Sequence, residues 1–264
     1  MPIKTAGDRG AGDDKSRFVK EIEEALLAEE VDLAVHSAKD VPSELPEGLS
    51  IVGVPAAADP RDAICGAARL GDLAEGASVG TSSLRRRAQL LASRPDLEVR
   101  DLRGNVDTRL ERLEQGSFDA LLLAAAGLAR LGRADEGNPL DAGEMTPAAG
   151  QGCLALEARA GDERASEAAA AIIDQDTLTR LTAERALVGA LEASCRTPVA
   201  GHATLEDGAL ALSAFVGLPD GSVWVRDSLE SSASEPAALG EEVAARLLAA
   251  GAGEVLEQAE RSAG

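Results

Sequence analysis

Between residues 77 and 124 the sequence alternates short apolar runs with amphipathic ones. "ASVG" leads into "SSLRRRAQLLASR", which Pro95 stops; "LEVRDL" leads into "NVDTRLERLEQ", which Gly116 closes; "FDALLLAA" follows. Proline cannot continue a helix and glycine readily adopts the left-handed conformation that ends one, so each stop is chemically marked. Strands alternating with short helices predict a parallel α/β sheet, the pattern that most restricts what this chain can become. The flanks extend it. "SRFVKEIEEALLAEE" places Phe18, Ile22, Ala25 and Leu26 on one helical face, and "VDLAVHS" alternates Val31, Leu33 and Val35 as a strand, with "LSIVGVP" as another. From Thr177 the character changes. A helix to Ala193 precedes runs broken at Asp207-Gly208 and Pro219-Asp220-Gly221, then the helix "LGEEVAARLLAAG". That pattern predicts a small α+β domain, an antiparallel sheet with one helix.

In parallel α/β sheets ligands gather where strands end and helices begin. Two such junctions here carry arginine. "GTSSLRRR" offers Thr81, Ser82 and Ser83 at a helix start, followed by Arg85, Arg86 and Arg87; "LRGN" offers Arg103, Gly104 and Asn105, with Arg109 on the next helix. Helix N-termini attract anions, and guanidinium grips carboxylates or phosphates in pairs of hydrogen bonds. Consecutive arginines alone would be a solvated helix face, but two adjacent loops predict a polyanion site, with Arg87 turned to solvent. The net charge of -20 repels nucleic acid and anionic membranes, so this patch is a local exception.

"AVHSAKDVP" ends a strand with Ser37, Lys39 and Asp40. A lysine and carboxylate there make either a surface ion pair or an acid/base group in a cleft. His36 lies in the apolar strand and is read as structural. Cys65, Cys153 and Cys195 are widely spaced, with no zinc or disulfide pattern. The first two have core-like neighbours. Cys195, in "LEASCRTPVAGH", follows a helix and reads either as a buried small hydrophobe or as an exposed thiol that Arg196 beside it favours as thiolate, with a Cys-His pair to His202 as a further alternative. The opening residues have no apolar core, so no signal peptide is expected. The longest apolar run, "ALLLAAAGLA", is half of the roughly 20 residues a membrane span needs. A cytoplasmic protein is expected.

In order, "AVHSAKDVPSELPEGL", "DPRDA", "VGTSSLRRRAQL", "LRGNVDTRL", "LAAAGLARLG", "AAGQGCLALEAR", "TAERALVGALEASCRTPVAG" and "AFVGLPDGS" resemble the porphobilinogen deaminase (hydroxymethylbilane synthase) family over nearly the whole chain. The resemblance implies two periplasmic-binding-protein-like α/β domains with a cleft between them, residues 1–55 with 152–174 and residues 56–151, and a C-terminal α+β domain, 175–264. It implies a monomer that joins four porphobilinogen molecules on a dipyrromethane cofactor held as a thioether by Cys195, with Asp40 catalytic and no metal. Ser37, Lys39, Thr81, Ser82, Ser83, Arg85, Arg86, Arg103, Gly104, Asn105, Arg109, Arg130 and Gln151 match cofactor- and substrate-binding positions, and Lys15 and Phe18 match the mobile cleft loop and the helix after it. Family members carry a strand and helix with "R-x-S-x-L-A" before a segment like "PIKTAGD". Here Met1 directly precedes that segment, and Ala11 stands where lysine is common, so the first domain is expected to be incomplete. The alternative is an inactive chain that only binds polycarboxylate pyrroles.

Overall fold

A computed structural model of the 264-residue chain describes residues 15–193 and 197–263, with side chains over 19–193 and 197–261. It begins with α1 (Lys15–Leu27), β1 (Ala34–Ser37) and β2 (Leu49–Gly53). A second sheet region follows: β3 (Asp62–Cys65), β4 (Ser78–Gly80), α2 (Leu84–Ser93), β5 (Glu98–Arg100), α3 (Val106–Glu114), β6 (Ala120–Ala124), α4 (Ala125–Arg130) and β7 (Asn138–Pro139). The chain returns as β8 (Leu154–Arg159) and α5 (Glu163–Ala170). It ends with α6 (Gln175–Ala190), β9 (Val199–Glu206), β10 (Ala209–Gly217), β11 (Trp224–Ser232), α7 (Pro236–Ala249) and α8 (Ala252–Ala263). No described helix is long and apolar enough to cross a membrane.

The predicted alternation folds as α/β, but the sheets are not wholly parallel. The second sheet runs β5-β4-β6-β3-β7; β4 pairs parallel with β5 and β6, whereas β3 is antiparallel to β6 and β7. In the first sheet β8 lies between β1 and β2, antiparallel to both. Local periodicity marks a strand without giving its direction, and β8 arrives from about a hundred residues away. The phase of β1 also differs from expectation. The strand begins at Ala34, which faces inward with His36, while Leu33 is exposed and Val35 is 58% exposed. An alternating pattern fixes the period but leaves open which face is buried when both faces carry apolar residues.

The C-terminal sheet, β11-β10-β9, is antiparallel as predicted. Asp207 and Gly208 both have positive φ in a two-residue hairpin, the conformation that favours an Asp-Gly pair. Its apolar face is covered by α6, α7 and also α8, where one helix was expected. Helices α6 and α7 meet at Gly240, where an added Cβ would overlap the Ala183 carbonyl oxygen and lie 2.7 Å from the Leu187 nitrogen. Both are backbone atoms of the facing helix, so α7 must move to admit a methyl group. Gly240→Ala is therefore expected to cost about 1–3 kcal/mol in denaturant melts, the usual range for overpacking.

Candidate active site

Asp40 ends a single 3-10 turn, Ala38–Asp40, that directly continues β1. Several contacts fix this turn. The Ala38 N–H donates to the Cys153 carbonyl at 3.1 Å, and Gly150, at φ +73, lies so close that a Cβ would come within 2.9 Å of the Lys39 nitrogen. On the far side Arg185, from α6, donates to the carbonyls of Val41, Pro42 and Ser43 at 3.4, 2.7 and 2.9 Å. Glu184, its buried neighbour, accepts from the Gly150 and Ala203 N–H groups at 2.7 and 2.8 Å. One helix thus braces the Asp40 turn, the 150–153 crossing and β9. Asp40, Lys39 and Ser37 are all half-buried.

The cations of α2 converge on a group the sequence did not single out. Asp62, the first residue of β3, is fully buried. Arg85 donates to its two carboxylate oxygens at 2.7 and 3.1 Å, and Arg86 donates through Nε at 2.9 Å. Burial alone would raise the Asp62 carboxyl, but the two guanidiniums outweigh it and hold the group well below the usual carboxylate range. Burial lowers Arg86 in turn. Gln151 donates to Asp62 at 3.0 Å and to the Pro60 carbonyl at 2.6 Å, while its Oε1 accepts from the Lys39 ammonium at 3.2 Å. An unbroken chain of polar contacts therefore runs from the residue beside Asp40 to the arginines of α2. Two guanidiniums face this one carboxylate, a surplus of positive charge suited to an anion. The only sequence trace of Asp62 was its place in "DPRDA"; its burial comes from the sheet.

The other predicted groups lie in the segments that follow β4, β5 and β6. Thr81 accepts from the Ser83 N–H at 3.2 Å and Ser83 caps α2 by accepting from the Arg86 N–H, so these hydroxyls satisfy part of the helix start themselves. The Thr81 N–H bonds the Arg100 carbonyl at 3.0 Å, which sets the two loops side by side. Asn105 caps α3, and Gly104, at φ +116, offers its carbonyl to Arg109 at 2.7 Å. Ser82 is half-buried beside Thr81, and Arg103 is exposed on the Asn105 loop. Arg130, at the end of α4, donates to the Gly152 carbonyl at 2.8 Å. Arg87, expected in solvent, is half-buried and donates to the Val99 carbonyl at 3.1 Å.

Cys195 lies outside the described residues, as do the side chains of Lys15 and Phe18. The other two thiols are buried, and burial pushes Cys65 up to about 11 and Cys153 up to about 12. Neither is a ready nucleophile at neutral pH. His202 lies 3.5 Å from Glu184 Oε1.

His36 is buried with its Nε2 2.9 Å from Glu157 Oε2, at angles that do not form a hydrogen bond. Glu23, from α1, joins them. Burial pushes its carboxyl up, with Glu157 and Glu24 acting in the same direction and His36 and Lys20 opposing. A raised folded value means that this group's contribution to stability is present below the ordinary Glu range and lost as pH rises through the folded value. Glu23→Gln should abolish that loss. In melts the variant is expected to gain a few degrees over the parent at pH 8 and none at pH 4.

The family model described as "Porphobilinogen deaminase, dipyromethane cofactor binding domain" matches residues 1–167, and its C-terminal domain matches 178–249. A porphobilinogen deaminase of Thermus thermophilus is 51% identical over 263 residues, covering 97% of this chain and 87% of the relative. That of Deinococcus radiodurans is 48% identical over 269, covering 97% and 86%. Among solved structures, an ABC transporter periplasmic binding protein of Brucella ovis with glutathione bound aligns at 18% identity and TM-score 0.35, over 66% of this chain and 53% of that one. So slight a likeness adds no weight. With both models matched and half of the residues shared across nearly its whole length, the chain belongs to the porphobilinogen deaminase family.

Proposed function

We propose that this chain deaminates porphobilinogen and condenses four molecules head to tail on a covalently held dipyrromethane, releasing hydroxymethylbilane by hydrolysis in tetrapyrrole biosynthesis. The observation that best supports this is Asp40 on a braced turn, next in sequence to a lysine wired through Gln151 into the Asp62, Arg85 and Arg86 array. Porphobilinogen carries an acetate and a propionate. The cationic surplus suits them, and it suits a dipyrromethane, whose substituents are the same acids.

When bound, the dipyrromethane would supply the free pyrrole carbon to which the first porphobilinogen is joined, each later one joining the ring added before it. Asp40 accepts the substrate pyrrole N–H, steadies the cation left when ammonia departs, and assists removal of the ring proton after the carbon-carbon bond forms. Lys39, Arg85, Arg86, Arg103, Arg109 and Arg130 neutralise carboxylates, with Ser37, Thr81, Ser82, Ser83, Gly104, Asn105 and Gln151 completing the polar lining. Lys15 and Phe18 belong to the cleft loop and its helix. Cys195 holds the cofactor as a thioether. We divide the chain into residues 1–55 with 152–174, residues 56–151 and residues 175–264, and read it as a cytoplasmic monomer whose acidic surface disfavours nucleic acid and anionic membrane.

Ammonia assays run beside calorimetry test the reaction. Porphobilinogen is expected to be consumed with one ammonia released for each molecule, and a linear tetrapyrrole to accumulate. Heat of binding without ammonia would instead show a chain that only holds the pyrrole.

A further inference from the structure

Neighbouring residues on a helix point about 100° apart, so two consecutive arginines ordinarily diverge. Arg85 and Arg86 instead share one carboxylate, Arg85 reaching both oxygens and Arg86 approaching Oδ1 with Nε at 2.9 Å and Nη2 at 2.7 Å. Without a buried anion between them, like charges at this separation would push apart. Asp62 therefore sets where both guanidiniums stand. It does so from β3, the first strand after the chain crosses from the first sheet. Gln151, on the return crossing, ties the same carboxylate to Lys39. Asp62 itself is sealed from solvent with its oxygens occupied, so it acts through these partners and not on the substrate.

We infer that Asp62 is a positioning residue for the reaction: through Gln151 and the paired arginines it fixes the spacing between cations of the two sheets, and that spacing recognises a pyrrole bearing two carboxylates. The inference rests on the reaction proposed above. A carboxylate that fixes the pocket governs substrate affinity, whereas one that only stabilises the fold changes the active fraction, which scales kcat and leaves KM alone.

The test uses the cofactor-loaded protein, checked by intact mass and thermal melt. Asp62→Asn removes the charge and presents an N–H₂ to Arg85, so KM for porphobilinogen is expected to rise about tenfold or more, as for loss of a charged hydrogen bond, with kcat within threefold. Gln151→Met keeps both ion pairs and removes the links of this side chain to Lys39, Asp62 and the Pro60 carbonyl; its KM should rise severalfold. Parental KM in a folded Asp62→Asn protein overturns the inference. If that variant does not fold, parental KM in Gln151→Met overturns it. Should the parent chain release no ammonia, the reaction is wrong, yet calorimetric porphobilinogen affinities of the same proteins still decide the positioning role: equal affinities sink it and weakened ones sustain it.

Discussion

Serine at position 195 is expected to leave the protein at its bare polypeptide mass and to abolish tetrapyrrole formation. The parent, produced with porphobilinogen available, should be heavier by two pyrrole units. The reason is nucleophilicity. A free thiol ionises near pH 8.5, so a few per cent is thiolate at neutral pH; a serine hydroxyl without an adjacent base supplies essentially none. Soft sulfur also suits the carbon electrophile that porphobilinogen becomes when ammonia leaves. The remaining thiols offer no substitute, because burial pushes Cys65 and Cys153 up to about 11 and about 12. Cys65→Ser and Cys153→Ser should therefore keep the added mass wherever they fold. Retention of that mass in Cys195→Ser would place the attachment elsewhere.

Much of the framework around this chemistry was legible because it is local. The run from β4 to β6 follows from apolar periodicity, and the residues that start α2 and α3, Ser83 and Asn105, are those whose side chains accept from the first helical turn. What was not legible depends on contacts between distant segments. The insertion of β8 between β1 and β2 leaves no local trace, and the outward face of Val35 follows from which side of β1 the rest of the chain covers. The arginines illustrate the same division. Their clustering was evident, and so was the chemistry they favour. That two of them close on Asp62, twenty-odd residues earlier, required the folded chain to bring the start of β3 within reach of the α2 side chains. Glu184 and Arg185 were unremarkable helix charges until α6 was seen to brace the Asp40 turn.

Replacing Asp40 by alanine should lower kcat by about 10²–10⁴-fold, the range for loss of a positioned acid/base group, with KM changed less than threefold. The turn should survive, since its named supports use backbone atoms and Arg185: Ala38 to Cys153, and Arg185 to the carbonyls at 41–43. A melting temperature within a few degrees of the parent is expected. Asp40→Asn keeps an oxygen that accepts the pyrrole N–H but has no charge to steady the cation and no basic site for the ring proton, so it should recover little of the loss. The contrast with Asp62→Asn is diagnostic. One variant spends its effect on kcat and the other on KM, although Gln151 and Lys39 link the neighbourhoods of the two carboxylates in a single hydrogen-bonded chain. Asp40 is half-buried and is the carboxylate proposed to meet the substrate, whereas Asp62 is sealed and faces arginines. A folded Asp40→Ala protein with parental kcat would remove Asp40 from the chemistry and leave the cationic array to explain binding alone.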